Sequence, residues 1–327
     1  MTTIRAEVQH DHLERLTARS PVSAIAELIW NAVDGDATEI TVTMDENGMG
    51  GLQAVNVIHN GDGIARDVAL EAFKNVGMSW KKGRRSAAGR TLHGEKGEGR
   101  YSAFAVGERV AWSTRWNDKN GKVSAYEITG RAADLRNFEV GTAVVATGRH
   151  TGTDVEISNI VRMPKSLLAD NAVLRLAEMF AVYLRQYPDV RIRFFGKLVD
   201  PTSVQERPPV EYPLPDLVRD DGRPVTATLT VIEWKHEVSR DLFLCDESGC
   251  ALASKKVPIR AKGYQFTAYV KSAFLREKQG LLDIDDLQAG ELTRVLDKAK
   301  EELRAHFRRR MAEDARSLVD TWKAEKV

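Results

Sequence analysis

The sequence predicts an α+β fold: one mostly antiparallel sheet covered by one helical layer, followed by a smaller second unit that ends in helices. Three observations carry this. An amphipathic helical pattern over 21–34 is followed by alternating apolar and polar segments over 38–44, 52–58, 109–114, 122–128, 142–147 and 152–157. A second helical pattern, 164–187, is stopped by Pro188. Alternating segments then resume, and a charged helical pattern closes the chain. The expected organisation is a first domain over 1–163, a connecting helix over 164–189, and a second unit with C-terminal helices over 190–327.

Composition narrows the classes. The 327 residues, 43% hydrophobic and 29% charged, fit an ordinary globular protein of two domains. The formal net charge of +1 points to no partner by itself, so any nucleic-acid contact needs a local basic patch. Cys245 and Cys250 make no disulfide framework and lack neighbours at metal-ligand spacing, which implies a reducing cytoplasm. No apolar run reaches spanning length and no signal-peptide pattern opens the chain, so no membrane is expected. The charged helical pattern over 291–327 has no stop signal, consistent with a fragment of a longer protein.

The elements follow in order. Residues 4–8 read as a short strand, and His10 and His12 as surface groups. Ser20 suits a helix N-cap and Pro21 the first helical position. Val22, Ile25, Ile29 and Val33 recur at core spacing, while Glu27, Asn31 and Asp34 share another face. That polar face reads either as a solvated stripe or as oxygen donors for a hydrated divalent metal and a water to be deprotonated. A hairpin turn at 45–48 joins the first two strands of the sheet. The second of them runs into His59-Asn60-Gly61-Asp62-Gly63-Ile64, whose glycines permit close backbone approach. A helix over 67–76 ends at Gly77, a C-cap.

Residues 79–100 are basic and glycine-rich, too polar for a core. They read as a binding-site loop or as a solvated linker. The stretch ends Gly94-Glu95-Lys96-Gly97-Glu98-Gly99-Arg100 and passes directly into a helix-like segment. Glycines before a helix start present backbone N–H groups to an anion, and the helix dipole favours negative charge there. This is not a P-loop, because no Gly-Lys-Ser/Thr follows.

In the second helix Val173, Leu176, Phe180 and Leu184 form the buried face. Strands are expected over 191–195, 198–199, 225–234, 241–245 and 264–270, with 201–221 a proline- and charge-rich loop and helices from about 286 onward.

Glu27-x-x-x-Asn31-x-x-Asp34, Asn60-Gly61-x-Gly63-Ile64 and Gly94-x-x-Gly97-x-Gly99, with Gly152-Thr153 behind them, stand in one order over roughly 20–160. Together they resemble the GHKL ATPase superfamily of gyrase B, heat-shock ATPase chaperones, histidine kinases and MutL, and most nearly its MutL, MORC and heat-shock-chaperone branches. The resemblance implies a Bergerat-type α/β sandwich followed by a transducer-like domain. It implies ATP and Mg²⁺ as cofactors, slow hydrolysis, closure of a lid over 79–100, and nucleotide-dependent pairing of two protomers, with DNA or protein as partner. Glu27 would be the general base and Asn31 the Mg²⁺ ligand. Asp34, Asn60, Gly61, Asp62, Gly63, Ile64 and Gly77 would line the nucleotide. Gly94, Glu95, Lys96, Gly97, Glu98, Gly99 and Arg100 would form the phosphate loop, with Lys96 or Arg100 adding charge. Thr153 would lie near the adenine.

One position departs from the family. An Asp that accepts a hydrogen bond from the adenine amino group is usual where this chain has His59. His59 is either a base contact or a structural strand-end residue. The second unit of the family supplies a basic residue to the terminal phosphate, for which Lys255 and Lys256 are the candidates, a solvated lysine pair being the alternative. Arg308-Arg-Arg310 is a nucleic-acid patch or a solvated helix face. Histidine-kinase-like phosphotransfer, a chaperone-like ATPase and a non-hydrolysing nucleotide-binding scaffold are the alternatives to a DNA-linked ATPase.

Overall fold

A computed structural model describes residues 2–5, 20–46, 48, 51–74, 86, 99–160, 165–168, 171–278, 281–282 and 290–325. The chain divides into a unit over 1–200 and a unit over 201–327. In chain order the first runs β1 (Thr2–Arg5), α1 (Pro21–Asp34), β2 (Glu39–Glu46), β3 (Leu52–His59), α2 (Arg66–Lys74) and α3 (Gly99–Ser102). It continues β4 (Arg109–Asn117), β5 (Val123–Arg131), β6 (Asp134–Val140), β7 (Val144–Val145), β8 (Gly152–Ser158), α4 (Lys165–Leu168), α5 (Asn171–Gln186), β9 (Arg191–Phe194) and β10 (Lys197–Leu198). Among the described residues these strands make one sheet in the order β1-β6-β5-β4-β8-β3-β2-β9-β10, with β7 on β5. This is the α+β sandwich that the alternating segments predict.

The N-terminus of α1 forms as its sequence dictates. Ser20 Oγ accepts the Ser23 N–H at 3.2 Å, and Pro21 takes the first turn, where its missing N–H costs nothing. Val22, Ile25, Leu28, Ile29 and Val33 are buried. Trp30 is buried too, 4.2 Å from the Phe180 ring and 5.2 Å from the Tyr183 ring, both on α5. Those contacts join the two helices over the sheet.

The register builds apolar rows on the buried face of the sheet. Val42, Val57, Val155, Trp112 and Ile128 stand opposite one another across β2, β3, β8, β4 and β5. All five are buried. Two residues along each strand the same face carries the next row: Ile40, His59, Thr153, Thr114 and Tyr126. That row is polar from His59 onward.

Several expectations are corrected. The described strand near the N-terminus is Thr2–Arg5, and 6–8 lie outside the described residues. Asp134–Val140 is a strand that the sequence reading missed, because only Leu135, Phe138 and Val140 are buried and their spacing is irregular. The strand expected over 142–147 is reduced to Val144–Val145, whose side chains are exposed. Residues 191–198 do not open the second unit. Arg191–Phe194 pairs in parallel with β2 inside the first sheet. Parallel neighbours require a crossover, and α5 returns the chain to that edge.

The second unit runs β11 (Val210–Pro213), β12 (Thr228–Glu233), β13 (Asp241–Cys245), β14 (Ala251–Lys256), β15 (Phe266–Lys271), α6 (Ala273–Glu277) and α7 (Glu291–Glu325). Its sheet order is β11-β12-β15-β13-β14. The segment read as a loop over 201–221 therefore contains β11, an edge strand whose Pro213 is tolerated there. α6, also missed, is capped by Ser272. Leu292, Val295, Ala299, Leu303 and Phe307 bury one stripe of α7, with Phe307 4.5 Å from the Phe266 ring. Arg310 donates from Nε to Glu233 at 2.9 Å, and Tyr212 shares a 2.8 Å hydrogen bond with His306 Nδ1. Burial alone would raise the Glu233 pKa; the nearby His306 nitrogen and the Arg310 hydrogen bonds outweigh it and hold the carboxylate low. Arg310 is thus a buried structural residue and not part of a nucleic-acid patch. Cys245 and Cys250 form no disulfide. Among the described residues no helix is long and apolar enough to cross a membrane.

Removing the Trp30 ring strips the contacts between α1 and α5 and leaves a cavity. Trp30→Ala is expected to lower stability by about 3–5 kcal/mol in urea unfolding; a loss under about 1 kcal/mol would contradict this packing.

Candidate functional site

Helix α1 positions the first group of residues. Glu27 and Asn31 are one turn apart on a half-buried face. Gly99, at the start of α3, lies against both. A Cβ there would stand 3.1 Å from Asn31 Nδ2, 3.4 Å from Glu27 Oε2 and 3.7 Å from Asn31 Oδ1. The first and third sequence motifs, more than sixty residues apart, therefore meet at one point. Asp34 is buried, one turn further along α1.

The glycine loop meets the other end of α1. Asp62 donates its N–H to the Gly35 carbonyl at 2.7 Å. A Cβ on Gly61 would collide with that same carbonyl oxygen, and Gly63 has φ +73 with the Arg115 carbonyl against its Cα. Glycine is needed at both positions, for close approach at one and for left-handed backbone at the other. Gly61 and Asn31 are thus separated by about one helical turn of α1, roughly 6 Å along its axis.

Asn60 serves the fold. Its Oδ1 accepts the N–H of Thr38 at 3.0 Å and of Glu39 at 2.9 Å, and its Nδ2 donates to Thr38 Oγ1 at 2.9 Å. The side chain clamps the turn from α1 into β2. Asp62 is largely exposed; partial desolvation of its carboxylate and the neighbouring Asp36 raise its pKa. Ile64 sends its N–H to Thr114 Oγ1 at 2.8 Å and takes the Tyr126 hydroxyl on its carbonyl at 3.0 Å.

The polar row of the sheet lies under this loop. Thr153 is buried, with its Oγ1 2.9 Å from Thr114 Oγ1. His59 is next in the row. Its Nδ1 accepts the Gly61 N–H at 3.2 Å. Burial lowers its pKa to about 4; Asp154 opposes this shift and Arg115 adds to it. The ring is therefore neutral near pH 7, and with Nδ1 accepting, the proton sits on Nε2. Thr114 and Tyr126 were not singled out from sequence. The available signal was a hydroxyl residue where the alternation Val110, Trp112 calls for another apolar one.

Other candidates lie elsewhere. Arg100 is buried beneath Phe73 and Tyr101, with its guanidinium carbon 5.2 and 4.9 Å from their ring centroids. It donates from Nη1 to the Ala72 carbonyl at 2.6 Å, which ties α3 to α2. Burial lowers its pKa from the usual guanidinium range. Lys255 and Lys256 stand on strand β14, not on a loop, and Lys256 Nζ is 2.8 Å from the buried Asp241 carboxylate. Gly77, Gly94, Glu95, Lys96, Gly97 and Glu98 lie outside the described residues.

What the described groups can do chemically follows. A carboxylate and an amide oxygen beside a helix start suit an anion that carries a hard cation. No cluster of three or more His, Cys, Asp or Glu that could hold a metal occurs among the described residues. An all-protein cage is not what Mg²⁺ needs, since it keeps waters and phosphate oxygens and takes one or two protein ligands.

Residues 19–145 match the family described as "Histidine kinase-, DNA gyrase B-, and HSP90-like ATPase". The chain is 27% identical over 257 residues to the DNA mismatch repair protein MutL of a Geobacillus species, covering 76% of this chain and 34% of that protein. It is 26% identical over 180 residues to MutL of Trichlorobacter lovleyi, covering 54% of this chain and 28% of that one. A solved structure of the N-terminal domain of a DNA repair protein aligns at 12% identity with a TM-score of 0.48, over 89% of this chain and 95% of that chain. The chain spans about a third or less of the length of these MutL relatives.

The His59 assignment is checked by its ring ¹⁵N shifts. The expected result is a neutral Nε2–H tautomer at pH 7 and a titration midpoint near 4. The folded ring then binds a proton less readily than the unfolded one, whose pKa is about 6.5. Stability should accordingly fall as pH drops from 6.5 toward 4. A charged His59 at pH 6 would contradict it.

Proposed function

We propose that residues 19–145, a domain of the histidine kinase-, DNA gyrase B- and HSP90-like ATPase family, bind Mg²⁺–ATP along α1 and hydrolyse it slowly. The observation that carries this is Gly99 seated against both Glu27 and Asn31. The family match and the similarity to MutL support ATP binding and a role related to DNA repair.

The division of labour follows from position. The phosphates lie at the Gly99 end, where the backbone N–H groups at the start of α3 face them. Asn31 offers its amide oxygen to the metal. Mg²⁺, when bound, supplies charge neutralisation to the phosphate oxygens. Glu27 orients a water and takes its proton as that water attacks the terminal phosphorus. The base lies at the far end of α1, over Gly61 and the row of His59, Thr153 and Thr114. Residues 79–100 are the proposed lid over the nucleotide, and its closure would favour pairing of two copies of the chain. Hydrolysis reverses both steps, an order–disorder switch driven by the terminal phosphate. Retention of Glu27 favours a hydrolase over a pure binder.

Two variants test the roles. Glu27→Ala should lower ATP turnover about a hundredfold to ten-thousandfold while nucleotide still binds. Asn31→Ala should remove the Mg²⁺-dependent part of the affinity in calorimetry. Unchanged turnover in the first variant, or unchanged Mg²⁺–ATP affinity in the second, would overturn the assignment.

A further inference from the structure

The register of the first sheet ends its buried face in a row that changes character. Val42, Val57, Val155, Trp112 and Ile128 are apolar; the next row offers His59, Thr153, Thr114 and Tyr126 beside the loop over 60–64. Three of these side chains are already engaged. Thr114 takes the Ile64 N–H, Thr153 pairs with Thr114, and Tyr126 holds the Ile64 carbonyl. His59 is engaged on one side only, where Nδ1 accepts the Gly61 N–H. Among the described residues nothing bonds its Nε2.

We propose, on the premise that the first unit binds a purine nucleoside triphosphate, that His59 selects the base by offering it a donor. The site then takes 6-oxo purine nucleotides at least as tightly as adenine nucleotides.

The argument is one of hydrogen-bond polarity. The Gly61 N–H is fixed in direction, because Gly61 is pressed on the Gly35 carbonyl and Asp62 is bonded to it. Nδ1 must accept from that N–H, so the neutral ring carries its proton on Nε2. To accept from an adenine amino group through Nε2, the ring would have to move the proton to Nδ1. Two N–H donors would then face each other at Gly61, leaving a backbone N–H without its partner. Protonating the ring does not help, since both nitrogens become donors. Burial keeps the ring neutral in any case. A carboxylate at this position offers only acceptors and suits the 6-amino group of adenine. The imidazole Nε2–H suits the 6-oxo group of hypoxanthine or guanine. Polar mismatch of this kind discriminates between bases, because it sets a donor against a donor.

Inosine triphosphate is the sharpest probe, since it carries an oxo group where ATP carries an amino group. Binding of Mg²⁺–ITP, Mg²⁺–ATP and Mg²⁺–tripolyphosphate to the full chain is measured by calorimetry, with the last blind to the base. The expected result is ITP at least as tight as ATP, and a shift of roughly tenfold toward ATP in His59→Asp, whose carboxylate restores an acceptor. ATP measurably tighter than ITP in the unaltered protein would overturn the inference and leave nucleotide binding standing. An unchanged ratio in a folded His59→Asp would overturn it equally. Should that variant unfold, the ratio in the unaltered protein decides alone. Tripolyphosphate binding with neither nucleotide tighter than it would remove the base site and the inference with it. Failure of all three ligands to bind would overturn the nucleotide reading itself.

Discussion

The backbone of Gly61 rests directly on the Gly35 carbonyl, with no room for a side chain between them. Everything in the site depends on that contact. It fixes the end of β3 against the end of α1, and Asp62 seals it with a 2.7 Å hydrogen bond to the same carbonyl. Asn60 secures the other side by holding both N–H groups at the turn into β2. Helix, loop and two strand ends become one piece. Glu27 and Asn31 are then placed by helical geometry alone, two turns and one turn back from Gly35. Their distance to the polar row is set by the backbone, not by flexible side chains, which is what a preorganised site requires.

The legible part of the fold was the part with local causes. Ser20 and Pro21 announce α1, and the apolar periods of α1 and α5 announce the helical layer. Alternation announces β2, β3 and β8. The missed elements have non-local causes. Asp134–Val140 is held by its neighbours β5 and β1 more than by its own pattern. Val210–Pro213 is an edge strand in a proline-rich stretch, where composition argues for a loop. The boundary between units was displaced because β9 looks like any short strand, and only its parallel register with β2 shows to which sheet it belongs. Glu27, Asn31, His59, Gly61, Gly63, Gly99 and Thr153, which the fold gathers around α1 and the loop after β3, stand out in the sequence itself. Thr114 and Tyr126 do not, since their roles exist only once four strands are in register. Asn60 and Arg100 belong to motifs and also bond the fold, Asn60 at the turn into β2 and Arg100 at the Ala72 carbonyl.

The second unit solves a different problem. Its helix α7 is strongly charged outside the apolar stripe that it buries. Phe307 packs on Phe266, and one turn later Arg310 brings a buried guanidinium to the Glu233 carboxylate. His306 adds a second nitrogen to the same carboxylate at 3.3 Å. Buried charges of this kind are costly unless paired, so the pair acts as a register lock for the helix more than as a source of net stability. From residue 311 to 324 the helix is exposed.

The account stands or falls on whether the separated motifs serve one ligand. Hydrogen exchange of the full chain, with and without Mg²⁺ and a non-hydrolysable purine nucleoside triphosphate, tests that directly. Slowed exchange is predicted together at residues 31–35, 59–64 and 99–104, with Glu27→Ala retaining the pattern. Protection confined to one of these segments, or absent from all of them while the ligand binds, would contradict it.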